Sequence, residues 1–89
     1  MIHRNTTIIN KLGLHARAAA KLVELASRFE CEIKLVKNST EVNGKSILGV
    51  MMLAAAINTP LELVADGSDE VEALDALEAL IARRFDEAE

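Results

Sequence analysis

Apolar residues in this chain switch between two periodicities along its length, and the order of the switches limits the fold more than any motif does. In residues 16–29, Ala19, Leu22, Val23, Ala26 and Phe29 recur at spacings of three and four, which predicts a helix with one buried stripe and with Lys21, Glu24 and Arg28 off it. Val71, Leu74, Leu77, Ile81 and Phe85 predict a second such helix behind Ser68 or Asp69 as its cap. Asp69, Glu70 and Glu72 fall in its first turn and Arg83 and Arg84 near its end, each sign where the helix dipole favours it. Between these helices, residues 31–37 alternate Cys31, Ile33 and Leu35 with Glu32 and Lys34, the pattern of a half-buried strand. Asn38-Ser39 predicts a turn into a short strand at 40–42, closed by Asn43-Gly44, and Ser46 is placed to cap a short helix over 47–53. Residues 2–9 mix β-branched with polar side chains as a first strand, broken at Lys11-Leu12-Gly13, and Pro60 opens a fourth strand that ends in the Asp66-Gly67 turn. The order is β-α-β-β-α-β-α. Three helices that each need a sheet face are accommodated by one α+β domain over residues 1–89, with all helices on one face of a mainly antiparallel sheet.

A domain of 89 residues is too short for two ordinary cores and has little room for a deep substrate cleft, so shallow surface chemistry is expected of it. The lone Cys31 excludes an intrachain disulfide and is expected as a buried strand residue. Without a C-x-x-C or a Cys/His cluster, no metal is expected. The chain opens on no charged-then-apolar leader, and its longest apolar stretch, residues 47–57, is far below the roughly 18 residues a membrane span needs. A cytoplasmic protein without membrane insertion follows as the expectation. A net charge of −4 with no Trp or Tyr and two Phe lacks the basic excess and stacking aromatics of a nucleic-acid binder. The charge is uneven: no acidic residue precedes Glu24, whereas Arg4, Lys11, Arg17 and Lys21 all do. The acid gathered from Glu62 onward reads as a solubility feature.

Two histidines are present. His3 lies within the first strand with no companion motif and is expected to face solvent. His15 follows Gly13-Leu14 and precedes Ala16-Arg17-Ala18, so it occupies or adjoins the cap of the first helix. The first amides of a helix lack intrahelical partners and the dipole is positive there, so a phosphate on this ring would meet donors and a favourable field. The same field disfavours a cationic imidazole, and a neutral ring keeps the lone pair that attack on phosphorus needs. Arg17 can turn its guanidinium toward phosphate oxygens, and Gly13 permits a tight turn that leaves the ring exposed. On spacing alone two readings stand, this one and a plain cap beside a surface arginine. No second acid, base or metal cluster supports a hydrolytic triad.

Gly13-Leu14-His15-Ala16-Arg17 before an alanine-rich helix resembles the phosphorylation site of the histidine-containing phosphocarrier (HPr) family of the phosphotransferase system. The stretch Val42-Asn43-Gly44-Lys45-Ser46-Ile47-Leu48-Gly49-Val50-Met51 resembles the family's second motif, and the likeness extends over residues 2–85. The resemblance implies an open-faced sandwich, a four-stranded antiparallel sheet under three helices. It also implies a cycle in which enzyme I phosphorylates His15 on Nδ1, Arg17 stabilises the phosphate, and an enzyme II A-type domain receives it. Such a protein is a co-substrate without turnover of its own, needs no cofactor, and is expected as a monomer. Ser46 matches the family's regulatory serine, which implies a Ser46 kinase/phosphorylase as a further partner. Ile47, Leu48 and Met51 match its docking helix, against the alternative that all three are core. A regulatory protein-binding module controlled by phosphate on Ser46 is the competing function. Ala18 stands where the family commonly has proline, which resembles the nitrogen-related (NPr-like) branch over sugar uptake, and Ala54–Ala56 stands where glycine is often found.

Overall fold

A computed structural model of the chain describes residues 1–89. Asn38 and Ser39 both take positive φ (48° and 69°), the backbone that a two-residue hairpin turn demands. They join β2 (Glu32–Lys37) to β3 (Thr40–Asn43). With β1 (Ile2–Thr7) and β4 (Pro60–Asp66) these strands form one antiparallel sheet in the order β1-β4-β2-β3. The register aligns Ile33 with Ala65 and Leu35 with Leu63, and Ile2, Arg4 and Thr6 of β1 lie across from Ala65, Leu63 and Leu61. β2 and β4 therefore present an apolar face, to which β1 adds Ile2 with Arg4 and Thr6 at the edge. On it sit α1 (Ala16–Ala26), α2 (Ile47–Met52) and α3 (Glu70–Ala82), followed by a short 3-10 turn at Arg84–Asp86. The chain is an open-faced α+β sandwich in the expected order. His3 lies on the other face, exposed, with Nδ1 3.0 Å from Glu62 Oε2 of β4.

The element ends depart from the expectations for identifiable reasons. β1 stops at Thr7, short of Ile9, where its partner is Pro60, which has no N–H to continue the ladder. α1 ends at Ala26. Its stripe residue Phe29 packs on the core from a turn in which Arg28 and Phe29 bond back to Leu25 and Ala26 at 3.1 and 3.2 Å. That turn is held from outside, because the Asp69 carboxylate accepts the amides of Glu30 and Cys31 at 2.9 and 3.0 Å. Asp69 thus stands at the N-cap of α3, as expected, but spends its side chain on a neighbouring loop. The Glu30 amide, helped by that of Cys31, holds its carboxyl below the ordinary range. On α3 the buried face is Ala73, Leu74, Leu77, Leu80 and Ile81, while Val71 is 52% exposed. Phe85 is fully buried but lies beyond the helix, in the 3-10 turn. Cys31 is buried just before β2, and burial pushes its thiol up to about 11.

Ser46 caps α2 as expected, its hydroxyl accepting the Gly49 amide at 3.1 Å. At the other end of α2, Lys37 Nζ donates to the carbonyls of Leu53 and Ala54 at 3.0 and 3.3 Å. The chain then leaves through Ala54 at φ 51°, a left-handed conformation that costs an L-residue about 1–2 kcal/mol. Ala54 belongs to the stretch 54–56, where the family often has glycine. Ala54 is exposed, so its methyl contributes little burial. Ala54→Gly is expected to raise stability by about 0.5–1 kcal/mol, read as a higher urea midpoint at unchanged slope. A lower midpoint would show that the turn carries no strain.

Candidate functional histidine site

The loop before α1 is tied to the loop after α2. Ile8, fully buried, exchanges backbone hydrogen bonds with that loop, its N–H to Thr59 O at 3.0 Å and its carbonyl from Asn58 N–H at 2.7 Å. Leu14 N–H donates to Ala55 O at 2.8 Å. Gly13 makes this approach possible, with φ +68° and a position at which a Cβ would lie 2.4 Å from the Ala55 oxygen. The turn delivers His15 to the N-cap of α1 with extended backbone (φ −73°, ψ 178°). Its ring makes no capping hydrogen bond, so His15 is not a cap in the ordinary chemical sense. The first backbone bond of the helix runs from Ala19 N–H to His15 O at 2.8 Å, which leaves the amides of Ala16, Arg17 and Ala18 without an intrahelical acceptor. The helix begins cleanly despite alanine at 18, whose side chain is fully buried.

Nε2 of His15 is hydrogen-bonded to the Glu87 carboxylate, and Nδ1 has no partner. A carboxylate only accepts, so Nε2 carries a proton in this contact, and in the neutral ring the lone pair lies on Nδ1. Glu87 is itself placed by Asn10, a fully buried residue whose Nδ2 donates to Gly13 O at 2.8 Å and to Glu87 Oε1 at 3.0 Å. Further along, Lys11 donates its amide to the Glu89 carbonyl at 2.5 Å and pairs with the Glu89 side chain at 3.4 Å. The result is an open depression of about 700 Å³ lined by Lys11, Leu12, His15, Arg17, Glu87 and Glu89. Burial alone would raise the Glu87 carboxyl. The hydrogen bonds from Asn10 and His15, with the charge of nearby Arg17, outweigh it and hold that carboxyl below the ordinary value.

The acid-rich C-terminal part does more than solubilise. Arg4 Nη1 reaches Asp75 and Glu78 of α3 at 2.5 and 3.1 Å, Lys21 reaches Asp86 at 3.6 Å, and Lys11 reaches Glu89. Of the early cations only Arg17 has no carboxylate partner, and it is exposed beside His15. Glu87 and Asn10 escaped the sequence reading because nothing local marks them: Glu87 is 72 positions from His15.

On α2, which packs against α1, Val50 is the core residue. Ile47, Leu48 and Met51 are 47%, 70% and 40% exposed, so the reading that all three are core does not hold. Ser46 is half-buried at the start of this apolar patch.

The structure thus places a part-exposed histidine at an unsatisfied helix end of a small open-faced sandwich, one ring nitrogen engaged and the other without a partner, in a shallow open depression. Residues 2–83 match the family described as PTS HPr component phosphorylation site. The chain is 60% identical to phosphocarrier protein HPr of Cupriavidus necator over all 89 residues, covering 100% of each. The crystal structure of HPr-C-His from Thermoanaerobacter tengcongensis is similar with a TM-score of 0.96 at 43% identity over 100% of both chains. An HPr dimer from the same organism gives 0.79 at 44%, covering 98% of this chain and 100% of that one. The chain belongs to the HPr family of phosphocarriers of the phosphotransferase system.

Proposed function

We propose that this protein accepts a phosphoryl group on His15 Nδ1 from enzyme I, originating in phosphoenolpyruvate, and passes it to an enzyme II A-type protein. The observation that carries the reading is the division of labour on the ring: Nε2 is engaged by Glu87, so Nδ1 holds the available lone pair. Arg17, the early cation without a carboxylate partner, serves as the phosphate clamp, with the open amides of the first turn of α1 behind it. Ile47, Leu48 and Met51 form the apolar surface on which successive partners dock. The protein turns nothing over alone, acts in the cytoplasm, and works as a monomer so that one site faces each partner in turn. Its output is sugar uptake or nitrogen-related regulation, according to which A-type protein takes the group. Incubation with enzyme I and phosphoenolpyruvate is expected to add one acid-labile phosphate per chain, assigned to Nδ1 by phosphorus and nitrogen NMR. An acid-stable adduct, or one on another side chain, would overturn the reading.

A second reading is favoured by the position of Ser46, whose hydroxyl sits at the edge of the exposed patch of α2. A phosphate there would add about two negative charges beside an apolar docking surface while remaining compatible with the helix dipole. Ser46→Asp is then expected to weaken the rate of phosphoryl transfer from enzyme I by about tenfold, roughly 1.4 kcal/mol. An unchanged rate would remove Ser46 as a switch.

A further inference from the structure

We infer that Glu87 is a positioning residue of the carrier site, whose carboxylate keeps the proton on Nε2 of His15 through both halves of the transfer. Nδ1 is then the only nucleophile in the first half and the only leaving atom in the second. The inference rests on His15 as the phosphoryl acceptor.

Glu87 is no loose terminal side chain. It is 14% exposed, and four separate contacts bring it there. Phe85 is buried, Lys21 Nζ grips the Phe85 carbonyl at 2.9 Å, Asn10 donates to Glu87 Oε1, and Lys11 holds Glu89. The backbone is committed as well. Arg84, Phe85 and Asp86 all take left-handed conformations (φ 57°, 54° and 64°), which reverses the chain after α3 and carries Glu87 back to α1. Asn10 gives both amide hydrogens to this arrangement, one to Gly13 and one to Glu87, while its buried Oδ1 is left without a donor.

The balance of the transfer shows what the contact does. In the first half the Nδ1 lone pair forms the N–P bond while the bond from phosphorus to the donor breaks and its electron pair leaves with the donor. The ring retains its Nε2 proton and becomes cationic, next to the Glu87 anion. In the second half the N–P bond breaks, its pair returns to Nδ1, and the ring leaves as neutral imidazole with the same proton on Nε2. No proton enters or departs. Were the phosphorylated ring to lose that proton, it would have to leave as an imidazolate, a far poorer leaving group. Arg17 lines the same depression, and its charge, which already favours the Glu87 carboxylate, would limit the repulsion between that carboxylate and an arriving phosphate.

The test uses the full chain carrying Glu87→Ala or Glu87→Gln, with nitrogen-15 in His15. Wild-type protein is expected to show the Nε2–H tautomer alone. Glu87→Ala is expected to show a measurable share of Nδ1–H and, once phosphorylated, to transfer to an A-type domain about tenfold more slowly while still taking one phosphate per chain. Glu87→Gln, whose amide oxygen still accepts from Nε2–H but carries no charge, should restore the tautomer and only part of the rate. An unchanged spectrum with wild-type transfer in Glu87→Ala overturns the proposal, and so does a changed spectrum without a change in rate. Failure of wild-type protein to take phosphate at all would instead sink the carrier reading, and the tautomer measurement would still decide whether Glu87 holds Nε2–H.

Discussion

Replacing His15 with alanine is expected to abolish phosphoryl acceptance, leaving no acid-labile adduct detectable by mass spectrometry after incubation with enzyme I and phosphoenolpyruvate. No other side chain offers a substitute. His3 is on the opposite face of the sheet from the helices, within a strand and paired with Glu62. The variant should nonetheless fold. The ring caps nothing, it is partly exposed, and the carbonyl that accepts the Ala19 amide belongs to the backbone and survives the substitution. A stability loss of about 1–2 kcal/mol is expected, because the part-buried Glu87 carboxylate loses a hydrogen-bond donor while the core is untouched. Phosphate uptake by His15→Ala at the wild-type level would end the carrier reading, whatever the family resemblance.

Phe85→Ala is expected to destabilise the domain by about 3–5 kcal/mol, the range for emptying a fully buried aromatic site. In a domain of this size that loss is a large part of the total and should lower the melting temperature by more than about 12 °C. The cavity is one part of the loss. Phe85 also anchors the left-handed turn Arg84–Asp86, and its carbonyl is the acceptor for Lys21. Loosening this turn releases Glu87 from His15, so the variant should also show the Nδ1–H tautomer well below its melting temperature. A drop of less than about 1 kcal/mol in urea unfolding would mean that the turn is held by its ion pairs and not by burial of the ring.

The fold and the centre of the site are legible in the sequence where their causes are local. The spacing of Leu22, Val23 and Ala26, the Asn38-Ser39 turn, the Ser46 cap and the placement of His15 at a helix start all depend on residues within a few positions of one another, and each is found where expected. Readings that depended on a neighbour across the fold went astray. Val71 fits a helical stripe in isolation, but α3 packs on β4, β1 and α1 with Ala73 and Leu80 buried beside Leu74, Leu77 and Ile81, and Val71 is turned to solvent. Asp69 has the chemistry of a cap, yet the amides of Glu30 and Cys31 compete for its carboxylate successfully.

The same division runs through the histidine site. His15, Arg17 and the helix end lie within one turn of chain, so periodicity and capping chemistry suffice to bring them together. Which ring nitrogen is free, and which cation is unpaired, depends on a C-terminal segment that returns from the far end of the chain. Such a return is set by the burial of Phe85, the reversal at Arg84–Asp86 and the aim of Asn10, interactions between residues more than 60 positions apart that leave no periodic trace. Local patterning therefore specified where the ring of His15 stands, and long-range packing selected which of its nitrogens is engaged, because hydrogen-bond partners are assigned by proximity in space and not by spacing along the chain.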